Sequence, residues 1–246
     1  MKIGLFVPCY IDQFYPGVAV ATLHLLERLG CDVESPLGQT CCGQPMANAG
    51  FAREALGTME RFVQEFSGYD YVVAPSGSCV LHVREHYDTL VQTDAVQHLR
   101  HRTYELCAFL TDVMQVDRLS AAFPHRVGLH ESCHGLRGLR LARSSEIVGP
   151  AFSKIKWLLQ RVRGLTLTEL DRPDECCGFG GIFAVTEEPV SVRMGHDRLL
   201  DHLAHGTEVI TGTDMSCLMH LDGLIRRMRM PLRVVHVAEI LSGGAS

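Results

Sequence analysis

The chain of 246 residues lacks any long apolar run. No stretch approaches the roughly 18 apolar residues of a membrane-spanning helix. At the start of the sequence, only residues 3–7 are continuously apolar before Pro8, which is too short for the hydrophobic region of a signal peptide. We therefore expect a cytoplasmic protein without a membrane span.

Positive charge is also scarce. The sequence has 23 basic residues against 28 acidic ones, a formal net charge of -5, and only three of the basic residues are lysine. This balance argues against a nucleic acid or an anionic membrane as the main partner. Hydrophobic residues make up 46% of the chain and charged residues 21%, which is typical of a folded globular protein rather than a disordered one.

Common nucleotide-binding and hydrolase motifs are missing. The sequence contains neither GxGxxG nor GxxxxGK[ST], so a nucleotide site has no support, and it contains no GxSxG nucleophile motif. Its cysteines form no CxxC pair, the arrangement in which structural zinc ligands usually occur.

What the chain does have is a doubled cysteine pattern. QTCCGQP at 39–45 and DECCGFGG at 174–181 each contain two adjacent cysteines followed by glycine. Each pair has one cysteine upstream and one downstream, which gives the sets Cys9, Cys41, Cys42, Cys79 and Cys133, Cys176, Cys177, Cys217. In a reducing compartment such cysteines indicate metal binding or catalysis rather than disulfides.

Strand-like apolar runs alternate with segments of helical periodicity. Strands are predicted over 2–8, 31–36, 69–75, 125–133, 165–170 and 207–212. Helices are predicted over 17–29, 47–67, 102–114, 143–162, 187–204 and 218–228. The order strand, cysteine, helix, strand, CCG, helix, strand, cysteine, helix occurs twice. It predicts an α/β fold of two similar units from an internal duplication, residues 1–118 and 119–246, each with a mainly parallel sheet covered by helices.

Every patterned cysteine follows a predicted strand. Ligands bind at the carboxyl ends of strands in such sheets, so each set of four cysteines is expected to converge. A vicinal pair can reach different metal atoms of one iron–sulfur cluster, and Gly43 and Gly178 allow the backbone to come close to a bulky cofactor. Zinc binding and thiol redox chemistry remain open alternatives. Cys31 and Cys107 lie outside the pattern and are interpreted as small buried hydrophobic residues.

Three histidines lie near the patterned cysteines. His130 and His134 flank Cys133, and His220 follows Cys217 by three residues. Each could donate a hydrogen bond to a cluster sulfur or move a proton, and each could equally be a histidine with an ordinary structural role.

The doubled pattern resembles the cysteine-rich CCG domain of the heterodisulfide reductases and of the glycolate oxidase iron–sulfur subunit. The stretches LFVPCYID, LERLGCDVE, GQTCCGQP, VAPSGSC, CCGFGG and HVAEIL are similar to the lactate utilisation protein A (YkgE) family. The resemblance implies one or two iron–sulfur clusters, of 4Fe-4S type, held by the eight patterned cysteines. It also implies an electron-transfer subunit, without turnover of its own, of a system that oxidises L-lactate to pyruvate. The implied partners resemble lactate utilisation proteins B and C, the first of which carries ferredoxin-type clusters.

The sequence departs from the wider CCG pattern in one respect. That pattern ends in CxxC, whereas here Ser76 and Asp214 occupy the place of the first cysteine. Two alternatives to lactate electron transfer therefore stay open. One is a thiol/disulfide redox subunit like the heterodisulfide reductases, and the other is a zinc-binding structural module.

Overall fold

The strands form two four-stranded sheets in the computed structural model, which describes residues 1–244. The first sheet has the order β2-β1-β3-β4 and the second the order β6-β5-β7-β8, and all paired strands are parallel. The strands are β1 (Lys2–Leu5), β2 (Asp32–Glu34), β3 (Tyr71–Ala74), β4 (Thr103–Glu105), β5 (Arg126–His130), β6 (Thr166–Thr168), β7 (Val209–Gly212) and β8 (Arg233–Val234). The prediction of a duplicated α/β fold is confirmed.

The two sheets share their register as well as their order. Gly4 of β1 lies opposite Glu34 and Val72, and Gly128 of β5 lies opposite Thr168 and Ile210 in the equivalent strands. The central strands have buried side chains on both faces, as expected for a parallel sheet with helices on each side.

Helices cover both faces of the sheets. They are α1 (Cys9–Phe14), α2 (Pro16–Arg28), α3 (Gln44–Asn48), α4 (Ala52–Phe66), α5 (Gly77–Leu81), α6 (Asp94–Arg102), α7 (Leu106–Ala108), α8 (Lys154–Leu159), α9 (Phe183–Thr186), α10 (Glu188–Ala204), α11 (Met215–Met228) and α12 (Val237–Ser242). Single π-helical turns are present at His82–His86, Phe109–Val113 and His134–Gly138. In the part of the chain that the structure describes, no helix has both the length and the apolar character needed to cross a membrane.

The helix predicted over 143–162 is wrong for most of its length. Only α8 is helical, and the preceding residues form an irregular loop in which the Arg143 N–H donates to the Phe152 carbonyl. Gly149 has φ +153° and precedes Pro150, and both features disfavour helix. The Ser153 side chain then caps α8 by accepting a hydrogen bond from a backbone N–H.

Other boundaries also differ from the predictions. Each predicted strand is present but shorter than predicted. The helix predicted over 47–67 is split at Gly50, whose φ of +90° ends α3 before α4 begins. The helix predicted over 102–114 begins as β4, the fourth strand of the first sheet, because Thr103 to Glu105 pair with β3 before the chain turns into α7.

The last helix of each unit packs against the other unit. α12, which follows β8 of the second sheet, packs against α2 of the first unit, and Arg28 Nη2 donates to the Ser242 carbonyl oxygen at 2.5 Å. Conversely, α7 packs against α8 of the second unit, where Lys154 forms an ion pair with Asp112. The predicted division between residues 118 and 119 stays a prediction, because elements from both sides of it share one core.

That shared core also contains the two unpatterned cysteines. Cys107 is fully buried and Cys31 is 8% exposed, with its sulfur 3.9 Å from Met114 Sδ. Both pack among apolar side chains of the shared core, as predicted for small buried hydrophobic residues.

Candidate metal centre

Each sheet has a topological switch point between its two central strands. After β1 the chain adds β2 on one side and then crosses to β3 on the other, so the crevice at the carboxyl ends of β1 and β3 is a natural ligand site. Cys9 begins α1 directly after β1, and Cys79 lies in α5 directly after β3. Cys41 and Cys42 come from the loop after β2. The patterned cysteines of the first unit therefore all lie at this crevice.

The four thiols of the first unit are in contact. The sulfur atoms of Cys9 and Cys41 lie 4.0 Å apart, and the Cys42 thiol shares hydrogen bonds with both Cys41 and Cys79. Cys42 and Cys79 are buried, whereas Cys9 and Cys41 are half-buried. The site thus has a closed inner side and an outer side within reach of solvent or a partner.

The second unit repeats this arrangement. The Cys176 thiol shares hydrogen bonds with Cys133 and Cys177, and Cys177 in turn with Cys217. Again the second cysteine of the vicinal pair and the downstream cysteine are buried, and the other two are half-buried. The structure therefore brings all eight predicted cysteines together in two sets of four.

One cysteine of each set has a lowered pKa. Hydrogen bonds shared with Cys42 and Cys9 lower the pKa of Cys41 to about 3, and those shared with Cys133 and Cys177 lower the pKa of Cys176 to about 2. The hydrogen bond with Cys41 and burial raise the pKa of Cys9. A thiolate is the form of cysteine that binds metal.

The CCG glycines give each vicinal pair its shape. Gly43 and Gly178 have φ of +91° and +90°, and their N–H groups donate to the sulfurs of Cys41 at 3.4 Å and Cys176 at 3.3 Å. A Cβ on Gly178 would lie 2.4 Å from the carbonyl oxygen of Ser191 in α10. In the structure the helices that lie closest to these glycines are α4 at Gly43 and α10 at Gly178.

The two sites flank one junction between the units. Tyr10 of α1 makes an edge-on ring contact at 6.0 Å with Phe179, which follows the second CCG. The buried carboxylate of Asp214 accepts hydrogen bonds from Ser76 Oγ at 3.1 Å and from Ser132 Oγ at 2.6 Å. The departures from the wider CxxC pattern, Ser76 and Asp214, therefore contact each other.

The three predicted histidines have different surroundings. His134 Nδ1 lies 3.8 Å from Cys133 Sγ, and His220 Nε2 lies 3.4 Å from the Ser191 carbonyl oxygen. His130 is 1% exposed, and burial lowers its pKa to about 4. Its ring lies beside Cys177 and Cys217, the inner side of the second site.

Sequence reasoning missed His82, which is buried near Cys41. The spacing in the sequence could have identified it, because His82 follows Cys79 by three residues, as His220 follows Cys217. Residues 130–134 also read HESCH, which matches the zinc-protease pattern HExxH. That pattern requires one helix to carry both histidines, whereas His130 ends β5 and His134 begins a π-helical turn.

The donor set fits a soft metal group. Each site offers four contacting sulfurs, one of them with a lowered pKa and with a backbone N–H directed at it. Thiolate ligands select zinc, copper(I) or iron–sulfur clusters over hard oxygen-loving cations. These cysteine clusters are metal-binding in character.

Two parallel sheets, each with four cysteines at its switch point, define a duplicated cysteine-rich α/β protein. The model of the cysteine-rich domain family CCG matches residues 3–84 and 127–222. Lactate utilization protein A of Geobacillus thermodenitrificans is 40% identical over 248 residues, covering 98% of this chain and 99% of that protein. Lactate utilization protein A of Bacillus subtilis is 39% identical over 247 residues, with the same coverage of both. The chain belongs to the CCG family and, within it, to the lactate utilization protein A family, which confirms the resemblance.

Among solved structures, the chain is similar to glutamate racemase RacE1 of Bacillus anthracis. The TM-score is 0.38 at 8% identity, covering 98% of this chain and 78% of the racemase. Similarity at this level carries no functional argument.

Proposed function

We propose that this protein is an iron–sulfur electron-transfer subunit of a system that oxidises L-lactate to pyruvate. The observation that carries the proposal is the convergence of two sets of four thiols at the two switch points. The lactate assignment rests on the near-full-length similarity to proteins named lactate utilization protein A.

The first set, Cys9, Cys41, Cys42 and Cys79, would hold one cluster, and Cys133, Cys176, Cys177 and Cys217 the other. An iron–sulfur cluster of 4Fe-4S type supplies reversible one-electron transfer when bound. The chain itself contributes thiolates, N–H donors to sulfur and a buried inner wall that excludes water. Hydrogen bonds to sulfur and restricted solvent access are the features by which proteins tune cluster potentials.

The adjacent cysteines favour a cluster over a single zinc ion. In the first set the sulfurs contact one another in sequence, Cys9 with Cys41, Cys41 with Cys42, and Cys42 with Cys79. A cluster spreads its ligands over several irons, whereas zinc takes four thiolates around one centre.

The proposal includes partners. Proteins resembling lactate utilisation proteins B and C would complete the reaction in the cytoplasm, with this chain as a non-autonomous subunit. The half-buried cysteines Cys9 and Cys133 place the outer side of each site within reach of such a protein.

The test is lactate-driven reduction of the clusters. The protein, purified without oxygen, is mixed with its two partners and L-lactate, and the visible absorbance of the clusters is followed. We expect reduction only in the complete mixture. Reduction of a disulfide substrate by the isolated chain would instead support the thiol/disulfide alternative, and stoichiometric zinc without sulfide would support the structural module.

A further inference from the structure

The two centres differ at one position on their inner side. Phe6 and His130 occupy equivalent positions. Gly4 and Gly128 have the same register in their sheets, and Phe6 follows Gly4 by two residues as His130 follows Gly128. Each also precedes the upstream cysteine of its set by three residues. A phenylalanine in the first unit is thus replaced by an imidazole in the second.

The replacement extends to the covering helix. Buried residues recur with the same spacing in α4 and α10, pairing Ala55, Met59, Phe62 and Phe66 with Ser191, Gly195, Arg198 and His202. A Cβ on Gly4 would meet Phe66 at 2.9 Å, and one on Gly128 would meet His202 at 2.3 Å, which supports the pairing.

In the first unit these positions form an aromatic cluster. The ring of Phe6 lies 4.8 Å from that of Phe62 and 5.8 Å from that of Phe66, and all three side chains are buried. These three rings offer no ligand atom. His82 is buried near Cys41 without a hydrogen-bond partner for either ring nitrogen, but among the described residues it belongs to no group of three donors converging within 4.8 Å.

In the second unit the same positions are polar and incompletely satisfied. Neither ring nitrogen of His130 or of His202 has a hydrogen-bond partner, although both side chains are buried. Arg198 Nη1 donates to Asp201 Oδ2 at 3.2 Å, whereas its Nε and Nη2 have no partner. Buried polar groups without partners are costly, so a native site that keeps them calls for a ligand.

For His130 the geometry identifies that ligand. One of its ring nitrogens and the sulfurs of Cys177 and Cys217 all lie within 4.8 Å of one another, and all three residues are buried. Three soft or borderline donors converging at this distance can hold one metal atom.

We propose that His130 is a metal ligand of the second centre, which is therefore a mixed thiolate and imidazole site, whereas the first is an all-thiolate site. The inference rests on the proposed function for the identity of the metal as iron. His130 would then be a ligand in addition to the four cysteines of the second set, and the two centres would differ in the number and kind of their ligands.

The test uses the whole chain, purified without oxygen and labelled at histidine with nitrogen-15. Pulsed electron paramagnetic resonance is recorded on the reduced protein. We expect a strong hyperfine coupling that changes with the nitrogen isotope and disappears in His130→Phe, the residue of the first unit. His220→Gln is the matched control, because His220 is directed at the Ser191 carbonyl oxygen, and it is expected to keep the coupling.

Two results separate the possible failures. Bound iron and sulfide with only the weak coupling of a hydrogen-bonded imidazole, or with none, overturns the assignment of His130 and leaves the proposed function intact. Because this comparison uses the unaltered protein, it holds even if His130→Phe does not fold. If the protein contains zinc and no sulfide, the proposed function fails. In that case His130 is a metal ligand if His130→Phe loses zinc that His220→Gln retains, and it is not a ligand if both variants keep their zinc.

Discussion

The carboxylate of Asp214 in the second unit accepts a hydrogen bond from the backbone N–H of Ser78 in the first unit at 2.8 Å. The same oxygen accepts from Ser76 Oγ, and the other oxygen accepts from Ser132 Oγ. Asp214 is 1% exposed, so these bonds compensate for its loss of water. Ser76 and Asp214 each stand where the wider CCG pattern has a cysteine. In this chain the two residues form part of a hydrogen-bonded junction between the units.

Removal of this carboxylate is expected to loosen the junction. Asp214→Ala leaves the Ser78 N–H and two hydroxyl groups without their acceptor in a buried place. We expect a loss of about 3 to 5 kcal/mol in the free energy of unfolding, measured by urea denaturation. Glu169→Gln is the matched control. It breaks only an exposed ion pair with Lys156, which is worth about 0 to 1 kcal/mol. Equal stability of the two variants would show that the junction does not depend on Asp214.

Loss of one vicinal cysteine should affect only its own centre. Cys42→Ser and Cys177→Ser each remove a buried thiol that contacts two others, so each variant is expected to lose roughly half of the bound metal. Cys107→Ser is the control, because Cys107 is buried in the shared core and its thiol hydrogen-bonds Glu105 rather than a patterned cysteine. Metal analysis of the three purified variants checks this. An equal loss from Cys107→Ser would mean that the ligand sets are drawn wrongly.

The second CCG glycine should tolerate substitution less well than the first. At Gly178 a Cβ would collide with backbone at 2.4 Å, whereas at Gly43 it would meet the flexible Met59 side chain at 3.2 Å. Both have positive φ, which costs a residue other than glycine roughly 1 to 2 kcal/mol. We expect Gly178→Ala to lower the free energy of unfolding by more than Gly43→Ala does.

A control for these substitutions lies inside α4. Gly57 has no atom within 4 Å of the place a Cβ would take, so Gly57→Ala is expected to stabilise by about 0.5 to 1 kcal/mol. If Gly178→Ala were also stabilising, the packing of the CCG loop against α10 would be contradicted.

Glu105 should make a contribution to stability that falls as the pH rises. Burial raises the pKa of this carboxyl to about 7, while its oxygen accepts a hydrogen bond from the Ala108 N–H at 3.0 Å. The native state therefore binds more protons than the unfolded state between the ordinary glutamate pKa and pH 7, and stability decreases across this window. The loss amounts to at most ~3 kcal/mol.

Glu105→Gln keeps an acceptor for the Ala108 N–H and removes the titration. Raising the pH from 5 to 8 should lower the free energy of unfolding of the unaltered protein relative to that of this variant, as measured by urea denaturation. An unchanged difference between the two proteins would place the source of the pH dependence elsewhere.

The convergence of the cysteines could be predicted because it depends on local patterns. Cys9, Cys79, Cys133 and Cys217 each follow an apolar strand, and parallel strands end at the same edge of a sheet. Period and spacing along the chain were enough to predict two such edges.

The junction and the packing of each unit's last helix against the other unit could not be predicted in the same way. Ser76 and Asp214 meet across 138 residues of sequence, and nothing near either residue specifies the other. Likewise, the apolar face of α12 shows that the helix is buried but not that it packs on α2 of the other unit. β4 was hidden because three residues are too few to show a period.

The most direct measurement of the central claim is the iron, acid-labile sulfide and zinc content of the protein purified without oxygen. The account predicts iron and sulfide in equal amounts, and visible absorbance that bleaches on reduction. It predicts that both are lost when Cys42→Ser and Cys177→Ser are combined. Stoichiometric zinc with no sulfide, or iron and sulfide unchanged in the double variant, would contradict it.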